Sequence, residues 1–245
     1  MNAAILELTV RQLLGKRRTL LMLAFVLLPV GIAVLYRING HNVDHSRWTA
    51  SVLEARLLVG TFLPLCALIF GTAALGSEFE DGTAVYLLSK PIPRWRIIVS
   101  KLLVAWVATA ALALLACLVS GAIAIRDVPD QGILLGFGVA LIGGAFVYCC
   151  LFVFLSVVTG RALITGLLYV FIWEGLITTL FSGTRVLSVR QYTLGLAKAI
   201  SNTTTQTFDA KLGGSEAVIL MVLVSAIATW LAIRALQRWE IGETG

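Results

Sequence analysis

GSEFEDGTAVYLLSKPIPRWRIIVSK, running from Gly76 to Lys101, is the stretch on which the reading of this chain turns. It is dense in charge and lies between two apolar runs. Charge at that density is not tolerated in hydrocarbon, so the segment is a wet connection between two membrane-crossing elements. Ser77 reads as an N-cap, and Glu78, Glu80 and Asp81 put acid into a first turn, where the helix dipole favours it. Ala84, Leu87 and Leu88, widened by Val85 and Tyr86, form an apolar stripe that ends at Ser89. Pro91 and Pro93 stop the helix, because proline lacks an N–H and restricts the residue before it. Arg94, Arg96 and Lys101 follow, with Trp95 among them, as the next apolar run opens at Ile97. The pattern predicts a short amphipathic helix and turn over residues 77–96, held as a platform at the cytoplasmic face.

The rest of the composition agrees with a membrane setting. Hydrophobic residues make up 59% of the 245 and charged residues 13%, with a mean hydropathy of +0.94. Soluble domains sit near 45–50% apolar and about 25% charged. The expectation is one all-α integral membrane domain over residues 1–245, with six spans of roughly 20 residues each and no room for a soluble catalytic domain. A net charge of +6 fits basic residues gathered at the cytoplasmic ends of spans, so no nucleic-acid partner is implied. Cys66, Cys117, Cys149 and Cys150 all lie in apolar runs and read as small packing residues.

Residues 3–18 read as an amphipathic interface helix. Ile5, Leu6, Leu13 and Leu14 meet lipid, while Glu7, Arg11, Lys16, Arg17 and Arg18 stay wet. No cleavage-type sequence accompanies the first apolar run, so an uncleaved span is expected over 19–36. Four basic residues precede it and only Arg37 closely follows, which sets the amino terminus inside. A polar loop, 37–56, then lies outside, with Trp48 as an interface anchor. Further spans are expected at 57–75, 97–125, 133–159, 162–181 and 217–236, with the fourth and fifth divided at Gly160-Arg161. Residues 182–215 form an external segment, read as one or two short helices lying on or dipping into the outer leaflet. The last span ends in Arg234, Arg238 and Trp239 inside. This arrangement places eleven Lys and Arg inside and eight outside.

No G-x-x-x-x-G-K-[ST] phosphate loop occurs, and Gly15-Lys16 is followed by arginine without the upstream glycine. Any ATP-driven process must therefore use an ATPase on another chain, with ATP and Mg bound there; no cofactor is expected on this one. His41 and His45 stand i, i+4 with Asp44 between, but without the metalloprotease Glu, so no metal site is assigned. The expected spans contain no histidine, which disfavours an intramembrane Ser-His protease. Glu174, in FIWEGL, is the acid placed inside a span. It can line a pathway, pair with Arg185 or Arg190, brace the outer helices, or sit near the interface. Gly132 and Gly136 make a G-x-x-x-G pair, a spacing that arises by chance in a chain with 22 glycines.

E-x-E-D-G-T-x-x-x-L-L-S-K-P-I-P-R-W-x-x-x-x-x-K, over Glu78 to Lys101, resembles permease subunits of type-two ATP-binding-cassette (ABC) exporters, and most closely the six-span NosY-like group. The run LYVFIWEGL at Leu168 to Leu176 and RVLSVRQY at Arg185 to Tyr192 resemble that group as well. The resemblance implies a coupling helix that docks in a groove on an ABC ATPase subunit. Glu78, Glu80, Asp81, Gly82 and Thr83 would start it, Leu87, Leu88 and Pro91 would pack it, and Arg94 and Lys101 would anchor its return to the membrane. It also implies short external helices between spans five and six, here carrying Arg185, Arg190 and Tyr192. A second copy, or a related permease, would complete the translocation pathway.

The expected function is that of a non-catalytic permease in the bacterial cytoplasmic membrane, multi-pass and with both termini inside, exporting a hydrophobic or amphipathic substrate. The alternative is a membrane subunit that transmits ATPase motion to an external partner protein through 182–215, without bulk solute transport. An intramembrane enzyme would need clustered His, Asp or Cys at one depth, and the spans supply almost none.

Overall fold

The computed structural model describes residues 16–39, 44–80, 93–126, 132–180, 182–201 and 212–238. Every regular element among them is helical. Helix α1 is Lys16–Asn39. Helix α2 opens with a turn, His45–Trp48, passes through a π-helical stretch, Thr49–Phe62, and continues as Leu63–Glu80. Helices α3 and α4 are Arg94–Ala124 and Ile133–Val158. Helix α5 begins as Ala162–Leu168, becomes π-helical over Tyr169–Ile177 and closes with Thr178–Leu180. A 3-10 segment, Ser182–Leu187, leads into α6, Val189–Ile200, and α7 is Gly214–Arg238.

Among the described residues, four helical stretches are long and apolar enough to cross a membrane: His45–Gly76, Arg94–Ala124, Ile133–Val158 and Gly214–Arg238. Leu23–Ile38 and Ala162–Ile177 are shorter apolar helices. Helix α4 is the centre of the bundle and packs on α2, α3, α6 and α7. Its Phe137, Leu141, Tyr148 and Phe152 are fully buried. A Cβ built on Gly71 of α2 would come within 2.8 Å of Phe152 Cβ, so the absence of a side chain there sets how closely α2 and α4 approach. The four cysteines are buried and no disulfide joins them.

Two boundaries differ from the sequence reading. The polar stretch expected as a loop over 37–56 is helical where it is described, to Asn39 and again in the helix that begins at His45. Asp44, in extended conformation, caps it by accepting from the Ser46 and Arg47 amides at 3.1 and 3.3 Å. The end of α1 is tied to this start: the Tyr36 ring stacks on Trp48 at 3.6 Å, and Tyr36 Oη lies 2.9 Å from His45 Nδ1. Nor does a new helix start at Ser77. Helix α2 runs through Gly76 and Ser77 to Glu80, and a Cβ built on Gly76 would meet Ser156 and Ala162 only at ordinary contact distance. Of the interface helix expected over 3–18, only residues 16–18 are described, as the opening of α1.

Candidate functional site: a polar foot beneath helix α6

Helix α6 lies inside the bundle, and glycines let it in. Cβ atoms built on Gly136 and Gly144 of α4 would meet Ala197 O at 3.0 Å and Thr193 Oγ1 at 2.4 Å. The two helices are therefore antiparallel. The eight residues from Gly136 to Gly144 carry α6 about 12 Å down α4 from its start, at 1.5 Å per residue. Val189, Tyr192, Thr193, Leu194, Gly195 and Ala197 are all buried. The chain thus folds back after α5, descends through the 3-10 segment, and rises again as α6. Within the segment expected to lie on or dip into the outer leaflet, α6 packs into the bundle, because glycines of α4 leave a groove for its apolar side.

At the foot of α6 sits Glu174, which is 3% exposed. Its carboxylate accepts from Ser188 Oγ at 2.5 Å and from the Val189 amide at 2.9 Å. The Val189 amide is one of the backbone N–H groups that a helix start leaves without an intrahelical partner, and the helix dipole favours an anion there. Tyr169 Oη donates to the same carboxylate at a long 3.5 Å. Tyr148 of α4, fully buried, also faces Glu174, yet its hydroxyl has no hydrogen bond of normal geometry among the described residues. Arg190 turns toward α2, where a Cβ on Gly60 would lie 3.3 Å from its Cζ. Its Nε is buried and has no hydrogen-bond partner among the described residues. Tyr192 Oη donates to Val186 O at 2.7 Å, pinning the 3-10 segment to α6. Burial, and then the Glu174 carboxylate, push the Tyr192 hydroxyl up to about 12, so it remains a donor. Arg185 lies in the 3-10 segment.

A second group of contacts lies at the opposite ends of the helices. Arg94, at the start of α3, donates from Nη1 to Leu236 O at 2.7 Å and Gln237 O at 2.6 Å. It caps the last turn of α7, where a cation is favoured by the exposed carbonyls. Lys101 is 1% exposed and donates from Nζ to Ala74 O at 2.6 Å. These two cations therefore join α3 to α7 and to α2. Glu78 and Glu80 belong to the last turns of α2. Asp81, Gly82, Thr83, Leu87, Leu88 and Pro91 lie outside the described residues.

Sequence reading missed a second buried acid. Glu54 is 0% exposed, in the π-helical stretch of α2. A Cβ on Gly121 of α3 would come within 3.2 Å of its Oε1, so that glycine leaves room for the carboxylate. Asp44 as a cap, followed by Ala50, Leu53, Leu57 and Leu58 at helical spacing, was the available signal. Both buried acids, Glu54 and Glu174, stand in π-helical stretches, a geometry that recurs at functional sites. Among the described residues no group of three or more His, Cys, Asp and Glu is arranged to hold a metal. The polar foot holds the start of α6 in place.

Helices of membrane length around a central apolar helix define a multi-pass membrane protein. Residues 3–202 match the family described as ABC-2 family transporter protein, and the chain belongs to that family. It is thus an ABC transporter permease, of a kind that is typically non-catalytic and whose family implies an ABC ATPase partner. No curated protein matches the chain.

Proposed function

We propose that this chain is the six-span permease subunit of an ABC exporter of the NosY-like group, working as a dimer in the bacterial cytoplasmic membrane with both termini inside. Separate ATPase subunits, holding ATP and Mg, would dock on the segment 77–96. The observation that carries this reading is the pair of ties at the exit of that segment. Lys101 joins α3 to α2, and Arg94 joins α3 to the end of α7. A push on the segment therefore reaches three helices together instead of bending one. Nucleotide can shift such a two-state equilibrium only by its differential affinity for the two states.

The docking role is tested by charge reversal. Glu80→Lys with Asp81→Lys is expected to lower the ATPase activity that co-purifies with the tagged permease by about tenfold, equivalent to roughly 1.4 kcal/mol. Unchanged co-purification would remove the coupling role from residues 77–96.

Helix α5 supports the dimer. Ile164, Leu168, Phe171 and Leu176 leave its outer face apolar and exposed, while Val170 and Glu174 turn inward. We assign the second protomer to this face, with an apolar pathway between the two copies that suits a hydrophobic or amphipathic cargo. Glu174 is then a brace for α6 rather than a lining group. Phe171→Cys is expected to form a disulfide-linked dimer in native membranes under mild oxidation. Exclusive cross-linking through α7 would place the interface elsewhere. The rival reading, transmission to an external partner, draws less support because α6 turns its residues into the bundle. Transport of cargo into vesicles by the purified complex separates the two readings.

A further inference from the structure

A groove of about 860 Å³ runs along the side of the bundle between α3, α4, α6 and α7. Trp106, Phe146, Leu196, Met221 and Trp230 line it, with Gly143 among its lining residues. On α7 the lining extends from Val218 to Ile233, about 22 Å of helix at 1.5 Å per residue. That length exceeds half of a hydrocarbon core about 30 Å thick. At one end the groove stops being apolar. Arg234 sits over the Trp230 ring, with Cζ 4.2 Å from its centroid. Arg234 and Arg238 are both exposed at this end of α7.

We infer that this groove is a binding site for an anionic phospholipid, with an acyl chain along α7 and the headgroup phosphate on Arg234. Three features favour that occupant. The groove is long and apolar, and the face of α7 around it remains open, with only 28% of its apolar window buried. Trp230 stands at the boundary between the apolar channel and the charged end, the level at which tryptophan settles in a bilayer. The sign of the charge also discriminates. A two-fold contact between copies through this face would bring Arg234 and Arg238 against their own counterparts, and like charges across an interface are penalised. An anionic headgroup meets them with opposite sign, as basic pockets between spans do for acidic lipids. The site is separate from the face of α5 assigned to the second protomer and does not depend on it.

The full-length chain in mild detergent, titrated with palmitoyl-oleoyl phosphatidylglycerol or the matching phosphatidylcholine and weighed by native mass spectrometry, tests the assignment. Wild type is expected to retain phosphatidylglycerol in preference to phosphatidylcholine. Arg234→Gln should reduce that preference about fivefold, and Arg234→Lys should keep most of it, in line with the contribution of one basic residue near an anionic lipid surface. Ala226 lines the groove and is exposed, so Ala226→Trp fills the channel without disturbing the core and should abolish retention of both lipids. Equal phosphatidylglycerol retention by wild type and Arg234→Gln would overturn the headgroup assignment. Undiminished retention by Ala226→Trp would overturn the groove. Disulfide-linked dimers of Ala226→Cys in membranes would give the face to a second copy.

Discussion

Glu174→Ala is expected to lower stability by about 2–5 kcal/mol and to release the foot of α6. The carboxylate is the acceptor for both Ser188 Oγ and the Val189 amide. Removing it strands two buried donors, and each unsatisfied buried group costs about 1–3 kcal/mol. The alanine also leaves the start of α6 without the anion that its dipole favours. Glu174→Gln keeps one acceptor oxygen and should lose roughly half as much. Unfolding in detergent measures the energy, and amide hydrogen exchange over Val189–Ile200 measures the release. A loss below about 1 kcal/mol with exchange unchanged would mean that α6 is held by its packing on α4 alone.

Gly144→Leu should be comparably damaging, for a steric reason. The first atom of any side chain there would stand 2.4 Å from Thr193 Oγ1 and 2.9 Å from Leu63 Cδ2. Thr193 and Leu63 are both 0% exposed, so neither has space to retreat. Overpacking of this kind costs about 1–3 kcal/mol and sometimes more, and here relief is available only by pushing α6 away from α4. The expected result is lower thermal stability together with loss of transport, while expression in the membrane persists because the long helices are intact. Gly31→Ala is the control. A Cβ at Gly31 meets nothing within 4 Å, and helix propensity favours alanine there by up to about 1 kcal/mol. Equal behaviour of the two variants would refute the close approach of α4 and α6.

How much of this was readable beforehand depends on the kind of force involved. Hydrophobic runs and charge breaks are local, and the spans expected at 97–125, 133–159 and 217–236 overlap the apolar helices Arg94–Ala124, Ile133–Val158 and Gly214–Arg238. The polar run 37–56 misled because its charges resemble a loop, whereas Asp44 starts a helix that buries Glu54 against Gly121. Glu174 stood out as an acid in an apolar run, but its partners did not. Ser188 and Val189 are 14 and 15 residues further on, reached only because the chain folds back. Nothing in the sequence separates Gly144 from the other glycines, since close approach is a property of two helices and not of one.

By itself the amino-acid sequence determined that this is a helical membrane protein without its own phosphate loop, because hydrocarbon demands long apolar helices and ATP demands a particular glycine-rich turn. Tertiary structure alone decided that α6 enters the bundle, that Glu174 holds its foot, and that Arg94 and Lys101 tie three helices together. Each of those depends on carbonyls, amides and small residues far apart in the chain, whose meeting is settled by packing and by the need to satisfy every buried polar group.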